Sequence, residues 1–257
     1  MPCPAPLIGL AHELADRAGE VQRRYFRTPV AVETKADASP VTIADRESEA
    51  RMRELITAKA PGHGIYGEEY GPENIDAEWV WVLDPVDGTK AFITGKPSFG
   101  ILIALLHHGK PVLGIIDQPI LHERWLGIDG QPSTLNGAPA QVRACPDLKH
   151  ATLYSTTPDI FRGSDAEAWT RLHLQAGMVR YGADCYAYGL MSSGFVDLVV
   201  ESSMKPYDYL ALVAVIQGAG GLITDWQGQP LGLTSDGRIA AAGDARTHAE
   251  ALATLAG

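Results

Sequence analysis

Residues 79–92 read WVWVLDPVDGTKAF, an apolar run that turns abruptly into two carboxylates, a proline, a glycine and a threonine. The bulky residues from Trp79 to Leu83 predict a buried strand over 79–83. Asp84 and Asp87 then fall just beyond the strand end and just ahead of Gly88 and Thr89. Pro85 fixes the backbone between them, so Asp84, the carbonyl of Val86 and Asp87 can point at one centre. Gly88 lets an anion come close to the amides that follow. Hard oxygen donors of this kind suit magnesium or manganese rather than zinc. An isolated DPxD would equally be an Asp-Pro turn with a capping aspartate, and a Thr after Gly is commonly a helix cap. The full string DPVDGT, residues 84–89, is far more specific.

Outward from this point, Leu7, Leu10, Leu14, Ala18, Val21 and Tyr25 recur at helical spacing and predict an amphipathic helix over 6–26, stopped by Pro29. A second helix is expected over 45–60, ended by Pro61 and Gly62. Apolar runs at 99–106, 112–116 and 124–128 read as buried strands and hairpins. Turn residues from Pro132 to Pro139 suggest a boundary near residue 140, dividing the chain into portions 1–140 and 141–257. Beyond it come strands at 151–155, 196–201 and 222–226 and a helix over 208–218. Helices mixed with hairpins favour a layered α/β or α+β architecture over a repeated βαβ barrel.

Composition narrows the partners. The chain has 257 residues, 46% apolar and 20% charged, enough for a sizeable core without staples. Against 31 acidic side chains stand 21 basic ones, and the resulting −10 repels nucleic acid and anionic membrane surfaces. A phosphate ester as substrate would therefore need cations placed locally to invert the field. Cys3, Cys145 and Cys185 are odd in number and far apart, which predicts a reducing cytoplasm. Neither a signal-peptide core nor a run of about 18 apolar residues occurs, so secretion and membrane insertion are not expected. No HExxH, GxSxG, P-loop or GxGxxG string is present.

Two further acidic elements matter. Gly67-Glu68-Glu69 follows Ile65 and Tyr66 as the end of a short strand, though alone it would be a solvated turn. Asp208 opens an apolar helix in KPYDYLALVAVIQGAGG, where by itself it would be a plain N-cap. Taken with KADASPVTIAD ending at Asp45, and with DPVDGT, these motifs in this order resemble the magnesium-dependent inositol monophosphatase superfamily, related to fructose bisphosphatase, over nearly the whole chain. The resemblance implies an αβαβα sandwich, a homodimer, and a phosphomonoesterase using two or three Mg²⁺ ions.

Residue by residue, it implies that Glu68, Asp84 and the Val86 carbonyl hold one metal, and Asp84, Asp87 and Asp208 a second, with Glu68 helping a third. It also places Thr89 beside Asp45 as the pair that takes a proton from the attacking water, and phosphate oxygens on the amides of Gly88 and Thr89. Lys35 is a more distant match, and a solvated surface lysine is its ordinary reading.

The tyrosines flanking Asp208, Tyr207 and Tyr209, depart from the commonest family form, and the surrounding text resembles the histidinol-phosphate phosphatase branch. Family alignment puts Glu201 and Asp184 on the substrate wall. Extra carboxylates would attract the ammonium and imidazole of histidinol phosphate, and Tyr186, Tyr188 or Tyr207 could stack on its ring. Ordinary loop and strand-end acids remain the alternative for both carboxylates. Inositol phosphate, or a nucleotide such as adenosine bisphosphate, is the other substrate reading, and a metal-binding pseudoenzyme the non-catalytic one. His63, His107 and His108 show no metal-ligand spacing and read as turn residues.

Overall fold

The computed structural model of the chain describes residues 3–35 and 40–257, so residues 36–39 of the KADASPVTIAD motif lie outside the described residues. In chain order the elements of the first half are α1 (Ala5–Tyr25), β1 (Val32–Thr34), β2 (Pro40–Thr42), α2 (Ile43–Lys59), β3 (Gly64–Gly67), β4 (Gly71–Glu73), β5 (Trp79–Asp87), α3 (Thr89–Ile93), β6 (Gly100–His107), β7 (Lys110–Gln118), β8 (Glu123–Ile128), β9 (Thr134–Leu135) and β10 (Ala138–Pro139). The second half adds β11 (Thr152–Ser155), α4 (Ser164–His173), β12 (Met178–Tyr181), α5 (Tyr186–Ser192), β13 (Leu198–Glu201), α6 (Pro206–Gly218), β14 (Leu222–Asp225), β15 (Ile239–Ala242) and α7 (Ala245–Ala256).

Strands β3 to β10 form an eight-stranded sheet in the order β10-β9-β8-β7-β6-β5-β3-β4, antiparallel except for the β3–β5 pair. A five-stranded sheet follows in the order β12-β11-β13-β15-β14, with β11 parallel to both its neighbours. Alternation along β5 explains the layering. Trp81 and Leu83 point to one face, where Leu10, Leu14 and Ala18 of α1 and Met52 and Ile56 of α2 bury them. Val80 and Val82 point to the other, against Leu210, Ala211 and Val213 of α6.

Helix α6 is apolar around its whole circumference, so it must be covered on every side. It lies between the sheets, with Val199, Ile223, Ile239 and Ala241 of the smaller sheet in the same core. A Cβ at Gly114 of β7 would overlap the Ala211 carbonyl, and one at Gly127 of β8 would overlap the Ala214 carbonyl carbon, so these two glycines let the helix backbone rest on the sheet. On the far face of the smaller sheet, Ala168, Trp169 and Leu172 of α4 pack with Ala251 and Leu255 of α7. The order is helices, sheet, helices, sheet, helices, the αβαβα sandwich expected.

Two boundaries differ from expectation for local reasons. Helix α2 begins at Ile43 rather than 45 because Thr42 caps it: its hydroxyl accepts from Ala44 N at 3.1 Å. Strand β5 does not stop at Leu83 but carries Asp84 to Asp87 within it, its register on β6 slipping between those aspartates. That irregularity is a bulge, which bends the strand and re-aims its side chains. No helix among the described residues is long and apolar enough to cross a membrane.

Candidate active site

The β5 bulge begins the site. Asp84 Oδ1 accepts from the amide of Val86 at 3.0 Å, folding the Asp-Pro-Val turn on itself. Gln22, wholly buried on α1, donates its side-chain amide to the Pro85 carbonyl and pins the turn from behind. At the exit, Gly88 adopts φ 85°, a left-handed conformation that caps α3. A Cβ there would stand 2.7 Å from Asp184 Cγ, so glycine is also what lets that carboxylate lie against the loop. Asp184 itself has φ 49°, a conformation Asp tolerates better than most residues.

Three carboxylates from distant positions converge. Asp84, Asp87 and Asp208 each bring an oxygen within 4.8 Å of the others. Backbone amides hold them in place: Cys185 N donates to Asp87 Oδ2 at 2.6 Å, and Lys205 N to Asp208 Oδ2 at 2.7 Å, the latter at the first turn of α6. Burial, and then the charges of Glu68, Asp87 and Asp208, push the Asp84 carboxyl well above its ordinary value. Burial and the charges of Asp184 and Asp208 do the same to Asp87. Such a cluster is poorly stable when all its members are ionised, and it consists only of hard oxygen donors. It fits a divalent cation such as Mg²⁺.

Beside it, Thr89 Oγ1 lies 3.1 Å from Asp45 Oδ1 and 3.2 Å from the Val86 carbonyl oxygen. The other oxygen of Asp45 accepts from Thr42 N at 2.9 Å and Thr42 Oγ1 at 2.6 Å. Burial raises the Asp45 carboxyl, and the hydrogen bonds from Thr42 and Thr89 oppose that rise.

Glu68 enters from the turn after β3, and here Lys35 departs from a solvated surface role. Its ammonium is 2.8 Å from Glu68 Oε1 and 2.5 Å from Glu69 Oε1. Burial lifts the Glu69 carboxyl to about 7, with Lys35 pulling the other way. Glu49 of α2 sets the shape of that turn. Its buried carboxylate accepts from Glu69 N at 2.7 Å, Tyr70 N at 3.2 Å and Arg53 Nε at 2.8 Å, and it lies so close to Gly67 that any Cβ there would overlap it. Glu49, Gln22 and Lys35 were not read as site-forming from the sequence. Only the charge alternation of DRESEAR, residues 45–51, with Glu49 four residues before Arg53, hinted at a pair.

A cavity of about 320 Å³ opens among Glu68, Asp87, Thr89, Asp184, Glu201 and Asp208. Asp45, Asp84 and Val86 lie buried behind its wall. Both expected substrate-wall acids therefore reach the same cavity as the cluster. Glu201 is buried at the end of β13, accepting from Thr156 N at 2.8 Å and Thr156 Oγ1 at 2.9 Å, and burial raises its carboxyl to about 8 against those bonds.

The tyrosines do not line the cavity. Tyr186 donates to Glu123, the buried Tyr188 hydroxyl faces Met204 Sδ at 3.8 Å, and Tyr207 stacks on Tyr66 at 6.1 Å. Each hydroxyl or ring is satisfied by the protein itself, which removes the ring-stacking role expected of them. The histidine reading also changes. His107 and His108, with Glu78, bring one donor atom each within 4.8 Å of one another, because the turn after β6 folds them back beside the start of β5. His63 accepts from the Trp81 indole at 3.2 Å.

Convergent carboxylates, Asp84 buried and Asp87 and Asp208 half-buried, beside a threonine–aspartate pair in a five-layer sandwich define a metal-dependent phosphatase. The chain belongs to the inositol monophosphatase family, whose match spans residues 4–256 and whose members are metal-dependent hydrolases of small phosphorylated substrates. Among its relatives, Bifunctional phosphatase IMPL2, chloroplastic, of Arabidopsis thaliana is 51% identical and aligns over 96% of this chain and 74% of its own. Histidinol-phosphatase of Chlorobaculum parvum is 35% identical over 92% of each chain. Among solved structures, an inositol monophosphatase from Zymomonas mobilis is 46% identical, with a TM-score of 0.89 and 97% of both chains covered.

Proposed function

We propose that this chain is a magnesium-dependent phosphomonoesterase that hydrolyses L-histidinol phosphate to L-histidinol and phosphate. The observation that carries the reading is the single cavity in which Asp184 and Glu201 face Glu68, Asp87, Thr89 and Asp208. A phosphate at one end would be within reach of carboxylates suited to a cationic leaving group at the other. The relatives named as histidinol-phosphatases support it.

Glu68, Asp84, Asp87, Asp208 and the Val86 carbonyl would hold the cations, two or three in number. When bound, Mg²⁺ supplies charge to the phosphoryl oxygens and acidifies a water. Thr89 Oγ1 would accept a proton from the attacking water while passing its own to Asp45 Oδ1, and the Thr42 hydrogen bonds keep Asp45 aimed. The amides of Gly88 and Thr89, at the left-handed turn, would bind phosphate oxygens. The water oxygen would bond to phosphorus as the bond from phosphorus to the ester oxygen breaks, and the departing oxygen would take a proton from solvent water and leave as the alcohol. Glu201, whose carboxyl burial raises to about 8, would be held ionised by an ammonium or imidazolium bound against it.

Phosphate release from histidinol phosphate, inositol phosphate, adenosine bisphosphate and fructose bisphosphate, with and without Mg²⁺, tests the proposal. A preference for histidinol phosphate of about tenfold or more in kcat/KM is expected. Preference for inositol phosphate would transfer the assignment to inositol monophosphatase, which the Zymomonas mobilis likeness favours. Retained turnover in Asp84→Asn would remove the metal assignment. The same reading makes the protein a cytoplasmic homodimer, to be checked by cell fractionation and by light scattering on the eluting peak.

A further inference from the structure

Next to the site cavity lies a larger one, of about 760 Å³, and its charge is of the opposite kind. Lys90, Lys96, Arg162 and Lys205 line it, against the carboxylates of Asp159 and Asp184. The two cavities share Lys90, Thr156, Ile160, Asp184 and Ser203, so they are one continuous recess with an acidic end and a basic end. None of the ion pairs among the described residues uses any of the four cations. Lys96 instead donates to the Gly182 carbonyl, which fixes its stem on the loop that carries Asp184. All four are exposed. Their charge reaches the shared wall: burial raises the Asp184 carboxyl, and Lys96, a Ser98 hydrogen bond and Lys90 counter it.

This placement answers a problem set by the composition. A phosphate monoester is a dianion, and it must approach a chain of net charge −10 whose reactive end is lined by carboxylates. We propose that the basic cavity is a capture site for the phosphoryl dianion, binding the phosphate group of the incoming ester, and of released inorganic phosphate, before and after it occupies the acidic end. The inference rests on the phosphomonoesterase reading, and on no particular alcohol. Cations gathered along one concave wall raise encounter with anions by a factor of about 10 or more, an effect that salt removes. Lys90 and Arg162 carry most of the proposal, since Lys96 also anchors a loop and Lys205 abuts the first turn of α6.

The test uses p-nitrophenyl phosphate, a monoester without a cationic leaving group, at saturating Mg²⁺ and at about 20 and about 300 mM salt, where the Debye length falls from roughly 20 to roughly 6 Å. For the unaltered protein kcat/KM should drop about fivefold or more between the two salts. Lys90→Gln/Arg162→Gln should begin about fivefold lower at low salt and respond little to added salt. Lys110→Gln removes a cation paired with Asp129 on the β7 edge and should behave as the unaltered protein, showing that position and not net charge matters. An unchanged salt response in the double variant overturns the proposal. A second measurement, calorimetric titration of the metal-free protein with inorganic phosphate, should show weak binding that the double variant loses. No binding overturns the capture site even if the protein is an active phosphatase; binding without any esterase turnover would overturn the phosphatase reading and leave the anion site standing.

Discussion

Glu49 illustrates how a residue far from any reacting atom shapes the site. Its carboxylate satisfies two backbone amides of the Glu68–Tyr70 turn and one arginine at once, with no exposure to solvent. Glu49→Ala would strand those amides and leave Arg53 unpaired, a loss of about 3 kcal/mol in stability. Glu49→Gln should fold well, but with one amide N–H facing a backbone donor the turn carrying Glu68 shifts. Its expected signature is a several-fold weaker Mg²⁺ affinity, read by the metal-induced rise in melting temperature as well as by activity. Glu201 offers a pH signature. Its folded carboxyl, at about 8, lies above the ordinary Glu value of 4.5, so the folded metal-free state binds the extra proton. That contribution to stability is complete below pH about 4.5 and is lost as pH rises through about 8. Glu201→Gln should therefore flatten the decline of melting temperature between pH 5 and 8; an identical slope would show that the carboxyl is not displaced.

At the scale of elements, α6 joins two tasks: it fills the space between the sheets, and its first turn presents Asp208. Its seat on Gly114 and Gly127 leaves no room for a methyl group. Gly127→Ala should cost at least about 3 kcal/mol, and because the helix must move, Mg²⁺ affinity should fall with stability although the substitution is remote from the site. A stable variant with native metal affinity would contradict the close seating. The bulge in β5 is the other decisive element. The apolar run and the Asp-Pro step were legible as a strand end, whereas the continuation of pairing to Gly100 on β6 was not, because a bulge leaves no periodic trace in the residues. Helices α4, α5 and α7 and strand β12 also escaped the reading. Helix α5 is too short for a period, and β12 is an edge strand whose Met178 and Tyr181 are exposed, so neither alternates.

For the whole molecule, we propose that the portions 1–140 and 141–257 fold as one cooperative unit. The face of the large sheet bearing Val80, Val82, Leu102, Ala104 and Trp125 is buried by α5, α6 and the smaller sheet, all from beyond residue 140. Residues 1–140 expressed alone should aggregate or remain molten, binding hydrophobic dye, and should be rescued by coexpression with 141–257. A well-dispersed spectrum from the isolated first portion would contradict this.

By itself, the sequence determined the types of element in α1, α2, α6 and the main strands, because burial imposes a period of 3.6 or 2 on the residues that bear it. It also determined the chemistry of the oxygen donors, since Asp84, Asp87 and Asp208 are acids with backbone signals at each position. Which acids meet was decided by the tertiary structure alone: Asp208 stands 121 positions beyond Asp87 and reaches it because a wholly apolar helix must be covered by both sheets. The same packing enlisted Gln22, Lys35 and Glu49, turned the tyrosines inward, and set a basic cavity beside the acidic one. Those are relations between side chains brought together across the fold, and no local pattern encodes them.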